Sequence, residues 1–223
     1  MKSTKMTALS VFAAAAVAML STAALAQDTP AAVEVTPAAA QEAEFTATTR
    51  CGLCHGPQGH SISPIYPALG GQKGWYIDEQ LHLFKAQTRR DPYARGYMWG
   101  MAAQLDDLQI AALADYYSKQ TPFVSAPAPF SGSANAALVA KGQSVYNDGV
   151  PANGVAPCAA CHQADASGSD QFPRLAGQHA SYLLKQLRAF HSGSREQVVM
   201  NGIVGPLQES DMKAVAAYLE SIH

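Results

Sequence analysis

The feature that most constrains this chain is a duplication that carries all four of its cysteines. Cys51-Gly52-Leu53-Cys54-His55 returns as Cys158-Ala159-Ala160-Cys161-His162, and the agreement runs well past the cysteines. Pro67-Ala68-Leu69-Gly70-Gly71-Gln72 is matched by Pro173-Arg174-Leu175-Ala176-Gly177-Gln178, and four residues after each glutamine stands a tyrosine, Tyr76 or Tyr182. Gln80-Leu81 and Gln186-Leu187 follow, then Phe84 and Phe190, then Met98-Trp99-Gly100 and Met200-Asn201-Gly202. Tyr116 and Tyr218 each lie eighteen residues beyond the methionine; the main length difference is between Gln-Leu and Met, where the first copy has four extra residues, with one more between the cysteine motif and the matched proline. Self-similarity over this length predicts one domain used twice.

Both copies read as helical. Ile110, Leu113, Ala114 and Tyr117 fall at i, i+3, i+4 and i+7, one face of a helix, and Met212, Val215, Ala216 and Leu219 take the same places in the second copy. Asp106 with Gln109 three residues later has the form of a capping box at a helix start. Further helices are expected over Trp75–Gln87 and His179–Ser192. Alternating β-branched runs are absent, so the predicted fold class is all-α, with almost no sheet.

The ends and the middle differ from the repeats. Lys2 and Lys5, an apolar run over 8–23 and Ala24-Leu25-Ala26 have the layout of a cleaved signal peptide over 1–26. No other segment is apolar enough to cross a membrane. Residues 27–43 are rich in Ala, Pro, Glu and Thr and read as a flexible leader. Ser125–Ser133, with Pro127 and Pro129, divides the copies. The expected domains are therefore 44–123 and 136–223, joined by a linker over 124–135. Cleavage after Ala26 removes two lysines and no acids, moving the formal net charge from −2 to −4. That balance lacks the basic footprint of nucleic-acid binding.

An exported chain with four cysteines invites a disulfide reading, but the spacing points elsewhere. Cys-x-x-Cys-His is the attachment motif of c-type haem. Two cysteines on one helical turn reach the two vinyl groups on one edge of the porphyrin, and the adjacent imidazole reaches the iron. Two Cys-x-x-Cys pairs sharing one zinc would leave both histidines without a role and would make the ion knit the copies together. A thioredoxin-like redox pair lacks its βαβ context. The cofactor expectation is two covalently bound haems c, on Cys51, Cys54 and His55 and on Cys158, Cys161 and His162.

An iron that only exchanges electrons needs a sixth ligand. Beyond the signal segment the methionines are Met98, Met101, Met200 and Met212. Met212 lies on an apolar helix face, where methionine is ordinary core filler, and Met101 has no counterpart. Met98 and Met200 correspond under the repeat, each in an irregular, glycine-containing segment before a helix. A thioether there would stabilise ferrous iron and raise the potential. His60, His82, His179, His191 and His223 have no repeat partner and read as ordinary histidines.

Over residues 44–223 the chain resembles the cytochromes c4, two-domain dihaem members of the class I cytochromes c. The resemblance rests on Cys-x-x-Cys-His-Gly at 51–56, the Pro-x-Leu-x-Gly-Gln segments, the two Met-x-Gly segments, the Tyr116 and Tyr218 helices, and Gly177-Gln178-His179. It implies two tandem class I domains, each wrapped around one His/Met haem, with the haems close across a domain interface. It also implies that Pro67 and Pro173 offer their carbonyls to the proximal histidines. Three departures stand out: Gln163 replaces Gly56, Phe45 replaces the Gly142-Gln143 opening, and the leader is longer. Arg89, Arg90 and Arg195 are candidates for pairing with haem propionates or for ordinary solvated arginine.

The expected protein is a periplasmic electron carrier, not an enzyme. It would take single electrons from a respiratory donor and pass them to a terminal oxidase or reductase, meeting the membrane through those partners. The rival is a dihaem enzyme of the peroxidase or thiosulfate or sulfide dehydrogenase type, or a haem subunit of one. Such catalysts leave one iron open or give it an unusual ligand, whereas each copy here offers a matched methionine.

Overall fold

The computed structural model describes residues 33–124 and 133–222. Helix α1 (Pro37–Thr46) starts where Thr36, in extended backbone, accepts through its side chain from the Ala39 amide at 3.2 Å, with Pro37 in the first turn. The helix then widens into a π-type turn over Ala47–Cys51 and continues as α2 (Gly52–His55). The Thr48 and Thr49 hydroxyls donate to the carbonyls of Glu44 and Phe45 at 2.8 and 2.6 Å, competing with the backbone where the turn widens.

This helix corrects the expectation of a flexible leader over 27–43, because residues 37–43 belong to the first domain. The composition misled because the segment offers only small apolar groups. Alanine, however, is the strongest helix former. Ala43 and Ala47 are buried against Ile110, Leu113 and Tyr117, an approach that larger side chains would not permit. Residues 27–32, the signal segment 1–26 and residues 125–132 of the expected linker lie outside the described residues.

The first domain continues with α3 (Gly74–Lys85), a second π-type turn over Ala94–Met98 running into α4 (Trp99–Ala102), and α5 (Asp107–Ser118). The capping box at α5 is formed in full: Asp106 Oδ1 accepts from the Gln109 amide at 2.8 Å, and Gln109 Oε1 accepts from the Asp106 amide at 3.0 Å. Ile110, Leu113, Ala114 and Tyr117 are all buried, as their spacing predicts.

The second domain comprises α6 (Ser133–Asp148), α7 (Ala159–His162), α8 (Ala180–His191), α9 (Val198–Val204) and α10 (Glu209–Ser221). It begins three residues before the expected boundary at 136. Tyr146, Leu183, Phe190, Val204, Met212, Val215 and Leu219 form its core. α6 and α10 cross closely at Gly142, where a Cβ would stand 2.0 Å from the Ala214 carbonyl oxygen. Among the described residues there is no strand, only an isolated bridge between Val150 and Val155.

The copies differ at two places that bear on the sites. In the first, the cysteine turn ends one continuous helix; in the second, Gly149 at φ 73° breaks the chain before α7. Gly56 and Gly59 hold positive φ in the first copy, and Gln163 (70°) and Ala166 (56°) hold the corresponding places in the second, positive-φ backbone that costs a non-glycine residue ~1–3 kcal/mol. The methionine segments are helical rather than irregular. Met98 ends the π-type turn and Met200 sits inside α9, whose start is capped by Gln197 Oε1 accepting from the Met200 amide at 2.7 Å.

Candidate haem sites and the interface between them

Helices α1 and α2 act as one rod whose last turn carries Cys51, Cys54 and His55. His55 is buried, and its Nδ1 lies 2.8 Å from the Pro67 carbonyl oxygen. A carbonyl only accepts, so Nδ1 carries the proton and Nε2 keeps its lone pair for a metal. α7 repeats the arrangement: His162 Nδ1 donates to the Pro173 carbonyl oxygen at 3.0 Å. Burial lowers the proton affinity of both imidazoles, partly opposed by these carbonyl bonds, which keeps the rings neutral as iron ligation requires. The four cysteines form no disulfide, and burial pushes the Cys158 thiol up to about 11. Among the described residues no group of three or more His, Cys, Asp and Glu is placed to hold a bare metal ion.

The first site opens on a cavity of about 700 Å³, within the range of cofactor pockets. Cys51, Cys54, His55, Leu69, Ile77, Leu81, Phe84, Leu105 and Leu113 are among its lining, and Met98 and Met101 both reach it. They differ in setting. Met98 is half-buried against the cluster of Phe84, Ala94 and Ala102, whereas Met101 is 37% exposed. Met200 is half-buried against the second core.

At the polar end of this cavity the two domains meet. Arg89 and Arg195 are each only 6% exposed, while Arg90 is exposed, so the solvated reading holds for Arg90 alone. Arg89 donates to Asp91 Oδ1 (2.7 Å), to Gln80 Oε1 (2.8 Å) and across the interface to Gln186 Oε1 (2.6 Å). Arg195 mirrors it, donating to Gln186 Oε1 and, across the interface, to Gln80 Oε1 and the Tyr76 hydroxyl, all at 2.8 Å. Each guanidinium also stacks on its own domain's phenylalanine, Arg89 on Phe84 at 4.7 Å and Arg195 on Phe190 at 4.5 Å. The arrangement is isologous: equivalent residues of the two copies exchange equivalent bonds.

Among the described residues, two buried guanidiniums here meet one buried carboxylate, Asp91, and the buried Gln186 Nε2 has no hydrogen-bond partner. Surplus positive charge and an orphaned donor beside an apolar cavity call for an acidic group. A haem supplies one in its propionates, along with the apolar ring the cavity walls suit and the vinyl groups that thiols attach. The residues present fit haem c.

Further cross-domain bonds were not foreseen from the sequence. His179 Nε2 lies 2.7 Å from the Ser61 carbonyl oxygen, Lys185 Nζ donates to that of Ile65 at 2.9 Å, and Trp75 Nε1 to that of Ser169 at 3.2 Å. For Gln72, Gln80, Gln178 and Gln186 a signal did exist: polar residues that recur at matched places without serving the cysteine motif. His179 and Lys185 have no repeat partner and gave none.

The sequence model of the cytochrome c family matches residues 40–120 and 139–223. Cytochrome c4 of Azotobacter vinelandii is 35% identical over 184 residues, covering 78% of this chain and 84% of the relative. The solved structure of Acidithiobacillus ferrooxidans cytochrome c4 superimposes with a TM-score of 0.71 at 38% identity, covering 77% of this chain and 98% of that one. The chain belongs to the cytochrome c4 family. As a cytochrome c4 it carries two covalently bound haems c and transfers electrons. A further relative, 34% identical over 174 residues and covering 76% of each chain, is the thiosulfate dehydrogenase electron acceptor of Thiomonas intermedia.

Proposed function

We propose that Cys51 and Cys54 would anchor one haem and Cys158 and Cys161 the other, with His55 and Met98, and His162 and Met200, as the residues that would ligate the two irons. The protein then works in the periplasm, relaying single electrons from a respiratory donor to a terminal oxidase or reductase. The observation that carries this reading is the matched pair of buried imidazoles, each with Nδ1 committed to a proline carbonyl, set against a half-buried methionine at the corresponding place in each copy. A bound haem supplies the one-electron iron couple. The chain fixes ring orientation and solvent exclusion and asks for no catalytic side chain. Export rests on the signal-like residues 1–26; no helix among the described residues is long and apolar enough to cross a membrane.

The similarity to a thiosulfate dehydrogenase electron acceptor favours a second reading of the partner, in which the donor is a thiosulfate-oxidising enzyme. The reduced protein is expected to bind carbon monoxide poorly, because both irons carry two protein ligands. Rapid stoichiometric binding at one haem would overturn this in favour of an enzyme. Co-purification from native membranes, with thiosulfate-dependent reduction assayed in the same fractions, separates the two donor readings.

A further inference from the structure

The proline carbonyls that orient the proximal histidines belong to peptide groups whose other end is held by the opposite domain. Pro67 supplies the carbonyl that accepts from His55 Nδ1, and the N–H of that same peptide, the Ala68 amide, donates to Gln178 Oε1 at 3.0 Å. In the second domain Pro173 accepts from His162, and the N–H of its peptide, the Arg174 amide, donates to Gln72 Oε1 at 2.9 Å. Each glutamine completes a two-point pairing through Nε2, Gln178 to the Ala68 carbonyl and Gln72 to the Arg174 carbonyl, both at 2.9 Å. The amide orientations are set by these partners. Each Oε1 faces the partner amide and its own following amide, His179 at 3.1 Å or Lys73 at 2.9 Å, and each Nε2 faces a carbonyl. A flipped amide would turn every bond into a like-with-like contact.

We propose that Gln178 and Gln72 are crossed positioning residues, each tuning the proximal histidine, and so the reduction potential, of the haem in the other domain. The inference rests on the axial-ligand reading given above. A hydrogen bond accepted from a peptide N–H shifts electron density toward that peptide's carbonyl oxygen, which becomes a stronger acceptor. A stronger acceptor draws the Nδ1 proton, gives the imidazole more anionic character, and favours ferric iron at Nε2. Gln178 therefore lowers the potential of the first haem and Gln72 that of the second. Each domain holds the other's haem below the potential its own residues alone would set. Ala68 and Gln178 are both buried, so water does not replace the bond when the glutamine is removed.

The test uses the intact dihaem protein and its Gln178→Leu and Gln72→Leu variants. Two readings are taken: the His55 and His162 Nδ1 proton resonances in the reduced state, and each haem's potential from its own methyl resonances during a redox titration. Gln178→Leu is expected to move the His55 Nδ1 proton upfield and leave His162 in place. It should favour reduction of the first haem about threefold, ~28 mV at 59 mV per tenfold for one electron. Gln72→Leu should do the converse. A shift confined to the mutated residue's own domain, or equal shifts in both haems, would overturn the crossed relay, the latter because it would report a general loosening of the interface. A parent protein whose His55 ring lacks the ring-current shift of an iron ligand would overturn the ligand assignment itself. A normal parent with an unmoved Nδ1 proton in Gln178→Leu overturns the relay alone.

Discussion

Met98 and Met101 both reach the first cavity one turn apart, so replacing each in turn tests the ligand assignment directly. Met101 is 37% exposed, leaving roughly two-thirds of its surface covered. Full burial of a methionine side chain is worth ~1.5–3 kcal/mol, so Met101→Ala is expected to cost about 1–2 kcal/mol of stability and nothing in ligation. Met98 packs against the cluster of Phe84, Ala94 and Ala102 at the end of the π-type turn, and its removal combines lost packing with a lost iron ligand. Met98→Ala should abolish the methionine–iron charge-transfer band of the first haem, so that the total band falls to roughly half, one of two equivalent sites being changed. The potential of that haem should drop, because the thioether that favours ferrous iron is gone, and the reduced protein should become open to carbon monoxide at one site. Visible spectroscopy, redox titration and guanidinium unfolding of the dihaem protein measure these outcomes. A Met101→Ala protein that loses half the band, beside a Met98→Ala protein that keeps it whole, would refute the assignment.

Replacing Cys158 and Cys161 by alanine should reduce the covalent haem count from two to one, read from intact mass, and leave the first domain's haem in place. Gly142→Ala puts a Cβ 2.0 Å from the Ala214 carbonyl oxygen and must push α6 off α10; it should cost about 3 kcal/mol in denaturant unfolding, and a loss near zero would mean that this crossing yields easily. His179→Leu removes the 2.7 Å bond to the Ser61 carbonyl and should lower stability by about 1–2 kcal/mol and loosen the coupling of the domains, seen as a broader thermal transition. Residues 44–123 hold seven Lys and Arg against seven Asp and Glu, and residues 124–223 hold six against seven, so association with a redox partner should depend only modestly on salt; a steep collapse of the association rate would reveal patterned charge.

The interface turns two similar domains into one electron carrier. Many of its bonds are made by the matched side chains Gln72, Gln80, Arg89 and their counterparts Gln178, Gln186 and Arg195. Desolvating two guanidiniums beside one carboxylate is costly without a further anion.

Much of this protein is determined by its sequence alone, because the features concerned are local. The cysteine turns are read from spacing, the core faces of α5 and α10 from the helical period, and the capping box from two residues three apart. Each depends on the geometry of one or two turns, and the repeat doubles the cysteine and core-face signals, the capping box standing in the first copy only. The structure alone decided the rest, where the outcome depends on groups far apart in the chain. Nothing local marks the alanine-rich segment before Phe45 as a packed helix, since its burial comes from α5 more than sixty residues away. Nor does any local pattern say that Arg89 is buried and Arg90 exposed, because the partners that cover Arg89 include Gln186 of the other domain as well as Gln80 and Phe84 of its own. Periodicity reports which face of an element is apolar; which polar groups will be desolvated together is decided only when two faces meet.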